Sequence, residues 1–157
     1  MNLKDQLNRA IYIAIDAHDG QLDTQNGRPY IEHPFRVMNA GFTLQEKIVG
    51  VLHDVIEDTD WTLEQLSEEG FSDEIVNAVD AMSRRDNESY DNFILRIQEN
   101  PLAVRVKIND LSDNMDLRRL NEIQYQDLAR LQKYLRAFKQ LTEIEHNLTN
   151  DSGEVHI

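Results

Sequence analysis

Residues 51–66 read VLHDVIEDTDWTLEQL, and this stretch directs the interpretation of the whole chain. Apolar residues spaced by three and four lead into it and predict one amphipathic helix over residues 44–58. Four ionisable side chains cluster near its end: His53, Asp54, Glu57 and Asp58. Like-charged carboxylates one helical turn apart repel each other unless a cation or solvent screens them. The stretch therefore favours a bound divalent ion, and the alternative is a solvent-facing acidic helix end.

The same spacing of apolar residues recurs along the chain, which has only six glycines and three prolines. No segment alternates long enough to be a strand, so the sequence predicts an all-α fold. We expect a single helical bundle of about seven to eight helices, with the domain at residues 1–149 and a polar C-terminal tail at residues 150–157. The predicted helices span residues 3–18, 31–40, 44–58, 62–68, 73–82, 90–98, 101–116 and 124–147.

The composition excludes several classes of protein. A chain of 157 residues fits one compact domain. The absence of cysteine excludes disulfide frameworks, zinc ribbons, iron–sulfur clusters and thiol nucleophiles, and suits a reducing compartment. The N-terminus lacks an apolar signal segment, and no apolar run approaches the roughly 20 residues of a membrane span. We expect a cytoplasmic protein that is not bound to a membrane, and the oligomeric state stays open.

The charge is strongly negative and unevenly distributed. The formal net charge is −13, which disfavours binding to nucleic-acid polymers. Residues 48–83 contain ten acidic residues and no Lys or Arg, whereas residues 101–139 contain eight basic residues and five acidic ones. The simple interpretation of the acidic stretch is a solvated face, but the spacing at residues 53–58 favours a bound cation there.

A metal site needs ligands from other parts of the chain. His33, just before Pro34, and Asp110, on a polar helix face with Lys107 and Asn114, complete a set of two imidazoles and two carboxylates. Such a mixed set suits six-coordinate Mn²⁺ or Fe²⁺ with open positions better than a closed tetrahedral zinc site. His18 precedes Gly20 and is interpreted as a helix-end residue that needs no ligand.

The order of these residues resembles the HD superfamily of metal-dependent phosphohydrolases. The closer resemblance is to the RelA/SpoT hydrolase domain and to small stand-alone alarmone hydrolases such as metazoan SpoT homologues. It rests on AHDGQ at 17–21, GRPYIEHPFRVM at 27–38, residues 51–66, and VKINDLSDNMD at 106–116. The resemblance implies an HD-domain helical bundle that removes the 3′-diphosphate of guanosine tetra- or pentaphosphate (ppGpp), a small-molecule nucleotide, to give GDP or GTP and pyrophosphate.

The resemblance also implies a role for each matching residue. The metal ligands would be His33, His53, Asp54 and Asp110, holding Mn²⁺, with Fe²⁺ or Co²⁺ as alternatives. Glu57 and Asp58 would activate the attacking water. Asn114 would contact the sugar, and Arg130, Tyr134, Arg84 and Lys107 would also bind the substrate. Lys107 could instead screen the site or pair with Asp110 or Glu122. A solvated pair is the alternative for Arg84 and Arg85.

Three departures from the family pattern keep other functions open. An Arg-Lys pair of the long enzymes is replaced by residues 22–26, LDTQN, and their His before the conserved Asn is Asp113 here. The chain is also too short to hold a synthetase domain, so we expect degradation of an alarmone rather than synthesis. One alternative is hydrolysis of another nucleotide: an adenosine alarmone, a 3′-phosphorylated dinucleotide cofactor or a nucleoside monophosphate. The other is a slow, metal-stabilised regulatory or antitoxin-like module.

Overall fold

The computed structural model describes the backbone of residues 1–153 and the side chains of residues 1–151. Within these residues the protein is all-α, as predicted, with nine α-helices, one short 3-10 helix and an isolated bridge between Leu22 and Pro29. The helices are α1 Leu3–Ala17, α2 Glu32–Ala40, α3 Leu44–Leu52, α4 Val55–Asp58, α5 Leu63–Glu68, α6 Asp73–Met82, α7 Tyr90–Gln98, α8 Pro101–Asn114 and α9 Tyr125–Gly153. The 3-10 helix Leu117–Arg119 lies between α8 and α9.

Helix α3 is the centre of the bundle and packs against α1, α2, α6 and α8. Its residues Ile48, Val49, Val51 and Leu52 are fully buried. Residues 48–52, the second half of α3, are apolar on all sides, and such a segment is stable only when other elements surround it. Because α3 ends at Leu52 inside the bundle, His53 and Asp54 lie among α2, α4 and α8 rather than in solvent.

Gly50 sets the distance between α2 and α3. A Cβ atom at this position would lie 3.1 Å from the backbone nitrogen of Met38 and 3.2 Å from the carbonyl carbon of Val37. These contacts are with backbone, which cannot rotate away as a side chain can. The absence of a side chain at Gly50 therefore lets α2, which carries His33, approach the end of α3, which leads into His53.

The prediction of one helix over residues 44–58 is wrong at residues 53–54, where a turn separates α3 from α4. The His53 ring explains the break, because its Nδ1 lies 2.6 Å from the carbonyl oxygen of Gly50. In an uninterrupted helix that oxygen would accept the N–H of Asp54. Adjacent residues of a regular helix do not face each other. After the turn, however, His53 Nε2 lies 3.0 Å from Asp54 Oδ2.

Other predicted boundaries differ by smaller amounts. Helix α8 ends at Asn114 rather than at residue 116, and α9 continues to Gly153 rather than ending at residue 147. The capping box of Thr43 and Glu46 is present. Residues 154–157 of the predicted tail lie outside the described residues, so the domain boundary at residue 149 stays a prediction. In the described part of the chain, no helix has both the length and the apolarity to cross a membrane.

We expect the substitution Gly50→Ala to destabilise the protein. Alanine is favoured over glycine in a helix by up to about 1 kcal/mol, but overpacking a buried contact costs about 1–3 kcal/mol. The free energy of unfolding, measured by urea denaturation, should therefore fall by about 1–2 kcal/mol. An increase would show that α2 and α3 can separate without cost.

Candidate functional site

A cavity of about 330 Å³ lies beside the turn between α3 and α4. Ten of the eleven predicted site residues line it, and Arg130 is the exception. Helix α2 contributes His33, the α3–α4 turn contributes His53 and Asp54, and α8 contributes Asp110. The structure thus brings residues separated by almost 80 positions in the sequence to one wall of a single cavity.

Four donor atoms from these residues form a compact group, called here the His/Asp cluster. His33 Nε2 lies 2.9 Å from Asp110 Oδ1, 3.2 Å from His53 Nε2 and 3.6 Å from Asp54 Oδ2. His53 Nε2 lies 3.2 Å from the same Asp110 oxygen. Ligands at adjacent corners of an octahedron, each about 2.1 Å from an ion, are about 3 Å apart. The spacing within His33, His53 and Asp54 is therefore compatible with a divalent metal ion, and Asp110 Oδ1 lies beside both imidazoles.

The His/Asp cluster is almost completely buried, and burial disfavours the charged form of each member. The close contacts between these side chains nevertheless shift each pKa more than burial does. Asp110 and Asp113 raise the pKa of His33, and Asp54 and Asp110 raise the pKa of His53 well above its usual value. The carboxyl pKa values of Asp54 and Asp110 are lowered, by His53 and mainly by Lys107 respectively. A metal ion would bind the unprotonated form of each imidazole, so metal binding at this cluster would be coupled to the release of any proton held there.

Glu57 and Asp58 lie on α4 at the edge of the His/Asp cluster and line the same cavity. Glu57 accepts a hydrogen bond from the backbone N–H of Arg84. Burial, supported by the charge of Asp54, raises the pKa of Glu57, and burial with Asp54 and Glu57 raises the pKa of Asp58 to about 6. A carboxyl group with a pKa near neutrality can exchange protons with water at physiological pH. Asp58 is therefore the better placed of the two for proton transfer.

Another part of the cavity wall is basic and aromatic. Lys133 Nζ lies 4.5 Å from the ring centre of Tyr90 and 5.4 Å from that of Tyr134, and Arg84 also faces the Tyr90 ring. Burial and the nearby cations Arg84, Lys107 and Arg130 lower the pKa of Lys133. The hydroxyl of Tyr90 is buried without a hydrogen-bond partner among the described residues. An anionic group in the cavity would satisfy both the cations and this hydroxyl.

Lys107 and Asn114 both contact Asp110 of the His/Asp cluster. Lys107 is buried, and its Nζ lies 2.8 Å from Asp110 Oδ2. Asn114 donates a hydrogen bond of 3.0 Å to Asp110 Oδ1 and accepts one of 2.9 Å from Arg119. The pairing of Lys107 with Asp110 is the alternative that the sequence left open. Both residues fix the carboxylate, and Asn114 also reaches the cavity.

The comparisons with known proteins agree with this geometry. The chain is 35% identical over 160 residues to a guanosine-3′,5′-bis(diphosphate) 3′-pyrophosphohydrolase of Haemophilus influenzae, a match that covers 92% of this chain and 22% of the relative. It is 34% identical over 120 residues to a probable GTP pyrophosphokinase of Mycobacterium leprae, covering 68% of this chain and 15% of the relative. The chain thus spans about a fifth or less of the length of these curated relatives. No protein-family model matches it.

The fold has a solved counterpart. A metazoan SpoT ortholog that hydrolyzes ppGpp superposes with a TM-score of 0.67 at 20% sequence identity, covering 94% of this chain and 96% of the other. The chain is a RelA/SpoT hydrolase-like protein of the HD type. The resemblance given by the four sequence stretches is confirmed, and so is the HD-type helical bundle.

Arg130 and Arg85 do not line the main cavity of this RelA/SpoT hydrolase-like protein. Arg130 donates to Asp127 Oδ1 at 2.7 Å and lines a neighbouring cavity of about 260 Å³ that shares Thr24 and Gln25 with the first. Its role in substrate binding stays a prediction. Arg85 pairs with Asp80 at the surface, which fits the alternative of a solvated side chain.

The structure adds three residues to the predicted site. Tyr30 donates a hydrogen bond of 2.5 Å to Asp54 Oδ2, Asp113 lies 2.6 Å from His33 Nδ1, and Lys133 lines the basic wall. Each lies close in sequence to a predicted residue, because Tyr30 precedes His33 by three positions, Asp113 adjoins Asn114 and Lys133 adjoins Tyr134. That proximity was the only signal in the sequence. His18 caps α1, as predicted, and its ring is buried beside Tyr30.

We expect Mn²⁺ to stabilise the protein through the His/Asp cluster. A ligand at 100 times its Kd stabilises the folded state by about 2.7 kcal/mol. The substitution His53→Ala removes one ligand and should abolish most of the difference in melting temperature between samples with Mn²⁺ and with EDTA. His146→Ala, at an exposed position of α9, is the control and should keep the full difference. An equal shift in both variants would contradict the site.

Proposed function

We propose that this chain is a metal-dependent phosphohydrolase that removes the 3′-diphosphate of guanosine tetraphosphate (ppGpp) to give GDP and pyrophosphate, or of guanosine pentaphosphate to give GTP and pyrophosphate. The observation that carries the proposal is one cavity with the His/Asp cluster in one wall and unpaired basic and aromatic side chains in another. Such a cavity suits a nucleotide with several phosphates. The Haemophilus influenzae relative, a guanosine-3′,5′-bis(diphosphate) 3′-pyrophosphohydrolase, and the metazoan SpoT ortholog that hydrolyzes ppGpp support the proposal.

His33, His53, Asp54 and Asp110 would hold the metal ion, and we propose Mn²⁺, with Fe²⁺ or Co²⁺ as alternatives. Two imidazoles and two carboxylates are a mixed nitrogen and oxygen set that suits such six-coordinate ions. An ion bound there would lower the pKa of a water molecule and polarise a phosphoryl oxygen. Lys107 and Asn114 hold Asp110 in place through the contacts described above.

Asp58 and Glu57 would divide the work on the attacking water. Asp58, whose pKa is about 6, would accept the proton of the water as its oxygen attacks the phosphorus bonded to the 3′-oxygen of the nucleotide. The bond between that phosphorus and the 3′-oxygen breaks, which releases pyrophosphate, and the proton passes to the 3′-oxygen of the leaving GDP or GTP. Glu57 would orient the water, because the backbone N–H of Arg84 fixes its position.

Lys133 and the remaining predicted residues would bind the nucleotide. Lys133 and Arg84 would contact phosphate groups, and Tyr134 and Asn114 would contact the nucleoside, with Asn114 at the sugar. The two cations surround the Tyr90 ring, so a phosphate between them would gain charge-assisted hydrogen bonds. Arg130 could reach a ligand that extends into the neighbouring cavity.

One observation favours another nucleotide as a second candidate substrate. The loop at residues 22–26 offers Thr24 and Gln25 to the cavity, while the carboxylate of Asp23 is bound by Arg119 at 2.6 Å. This loop contains no Lys or Arg that could contact the base of a nucleotide. A turnover screen over adenosine alarmones, a 3′-phosphorylated dinucleotide cofactor and nucleoside monophosphates would separate the candidates, since equal rates on guanine and adenine substrates would exclude guanine recognition.

A regulatory or antitoxin-like module is the weaker candidate. Binding a metal requires only the His/Asp cluster, whereas this chain also places Glu57 and Asp58 beside it.

The lack of cysteine supports a reducing, cytoplasmic location for the enzyme that we propose.

Purified protein with Mn²⁺ should release pyrophosphate from ppGpp, and Asp58→Asn should reduce kcat by about 10²–10⁴ because it removes the proton acceptor. The variant should keep its Mn²⁺-dependent stabilisation, because Asp58 is not a proposed ligand. Asp60→Asn, an exposed position two residues further on, is the matched control. Wild-type protein that binds Mn²⁺ and leaves ppGpp intact would exclude the proposed substrate.

Removal of the charge at Lys133 should weaken substrate binding. A charge-assisted hydrogen bond contributes about 1.5–3 kcal/mol, so Lys133→Gln should raise KM about tenfold or more with little change in kcat. Lys139→Gln, at an exposed position of the same helix, should leave both constants unchanged. Equal KM values for the two variants would remove Lys133 from the binding site.

A further inference from the structure

Asp113 lies outside the His/Asp cluster but contacts one of its members from behind. Its Oδ2 is 2.6 Å from His33 Nδ1, while His33 Nε2 faces Asp110 and His53. We propose that Asp113 is a positioning residue that fixes the ring orientation and the tautomer of His33 for metal binding. The inference rests on the metal site of the proposed function.

The tautomer of a histidine decides which of its nitrogens can bind a metal. A neutral imidazole carries one N–H, and its other nitrogen offers the lone pair. Ionised Asp113 can only accept a hydrogen bond, so it holds the proton on Nδ1 and leaves the lone pair of Nε2 toward the cluster. A carboxylate behind a histidine also makes the ring a stronger ligand.

Asp113 is itself held in place. Arg36 Nε donates to its Oδ1 at 2.7 Å, and Arg119 Nη1 lies 3.2 Å from its Oδ2. These two guanidinium groups balance the negative charge of the carboxylate from two sides. The carboxylate is therefore charged and immobile at the distance where it can orient the ring.

The same contacts allow a purely structural role, in which Asp113 only joins α8 to α2 through Arg36. The two roles differ in what the loss of Arg36 does. Arg36 contacts Asp113 but does not touch His33 through any described hydrogen bond, and its side chain is 40% exposed. Arg36→Gln thus removes an ion pair of Asp113 and keeps the contact between Asp113 and His33.

The experiment measures the Kd of Mn²⁺ for metal-free protein by titration calorimetry at fixed pH, without nucleotide. Asp113→Ala should weaken binding about 10–100-fold. Asp113→Asn, which keeps an oxygen as acceptor, should lose less. Arg36→Gln should change Kd by less than about threefold, because partly exposed ion pairs contribute little. Circular dichroism of each metal-free variant establishes that it is folded.

Two outcomes would overturn the role of Asp113 without affecting the proposed function. One is wild-type Mn²⁺ affinity in both Asp113 variants, and the other is a loss of Mn²⁺ affinity in Arg36→Gln as large as that in Asp113→Ala. If Asp113→Ala does not fold, the same comparison is made between Asp113→Asn and Arg36→Gln, and equal affinities overturn the inference. Wild-type protein that fails to bind Mn²⁺ would overturn the metal site and therefore the proposed function. Wild-type protein that binds Mn²⁺ without hydrolysing ppGpp would leave the role of Asp113 intact.

Discussion

The burial of two carboxylates next to two imidazoles at the end of α3 is the constraint on which the rest of the site depends. Buried charges are tolerated only when they are paired and hydrogen-bonded. Each of the two carboxylates therefore has further partners: Tyr30 donates to Asp54, and Lys107 and Asn114 donate to Asp110. The apolar core surrounds α3 and positions these charges, while the polar partners make their burial possible.

The net charge of −13 does not oppose an anionic substrate once the charges are located in the fold. Acidic side chains of α4 and of the α3–α4 turn concentrate around the His/Asp cluster, where a divalent cation would neutralise them. Lys133 and Arg84 face the same cavity, and neither forms an ion pair with a carboxylate of the described residues. The cavity thus has an acidic part and a basic part, which the net charge of the chain does not reveal. A nucleotide phosphate would lie between a cation at the acidic part and the basic side chains.

The residue types of the proposed metal site could be read from the sequence, but the backbone that presents them could not. His33, His53, Asp54 and Asp110 have the chemistry of metal ligands and occur in an order that the RelA/SpoT resemblance supports. The apolar spacing runs through residues 53–54 without interruption, so the break caused by the His53 ring on the carbonyl of Gly50 left no trace in the pattern. Arg130 and Tyr134 lie one helical turn apart and were both expected to bind the substrate. Arg130, however, pairs with Asp127 and lines the neighbouring cavity.

Arg119 connects the two internal departures from the RelA/SpoT pattern. One departure is the loop at residues 22–26, and the other is Asp113 in place of a histidine. Arg119 Nη2 lies 2.6 Å from Asp23 Oδ2, and Arg119 Nη1 lies 3.2 Å from Asp113 Oδ2 and 2.9 Å from Asn114 Oδ1. One buried guanidinium thus contacts two carboxylates, one in each departure. The two departures therefore form a single structural unit that joins the cavity-lining loop to the residue behind His33.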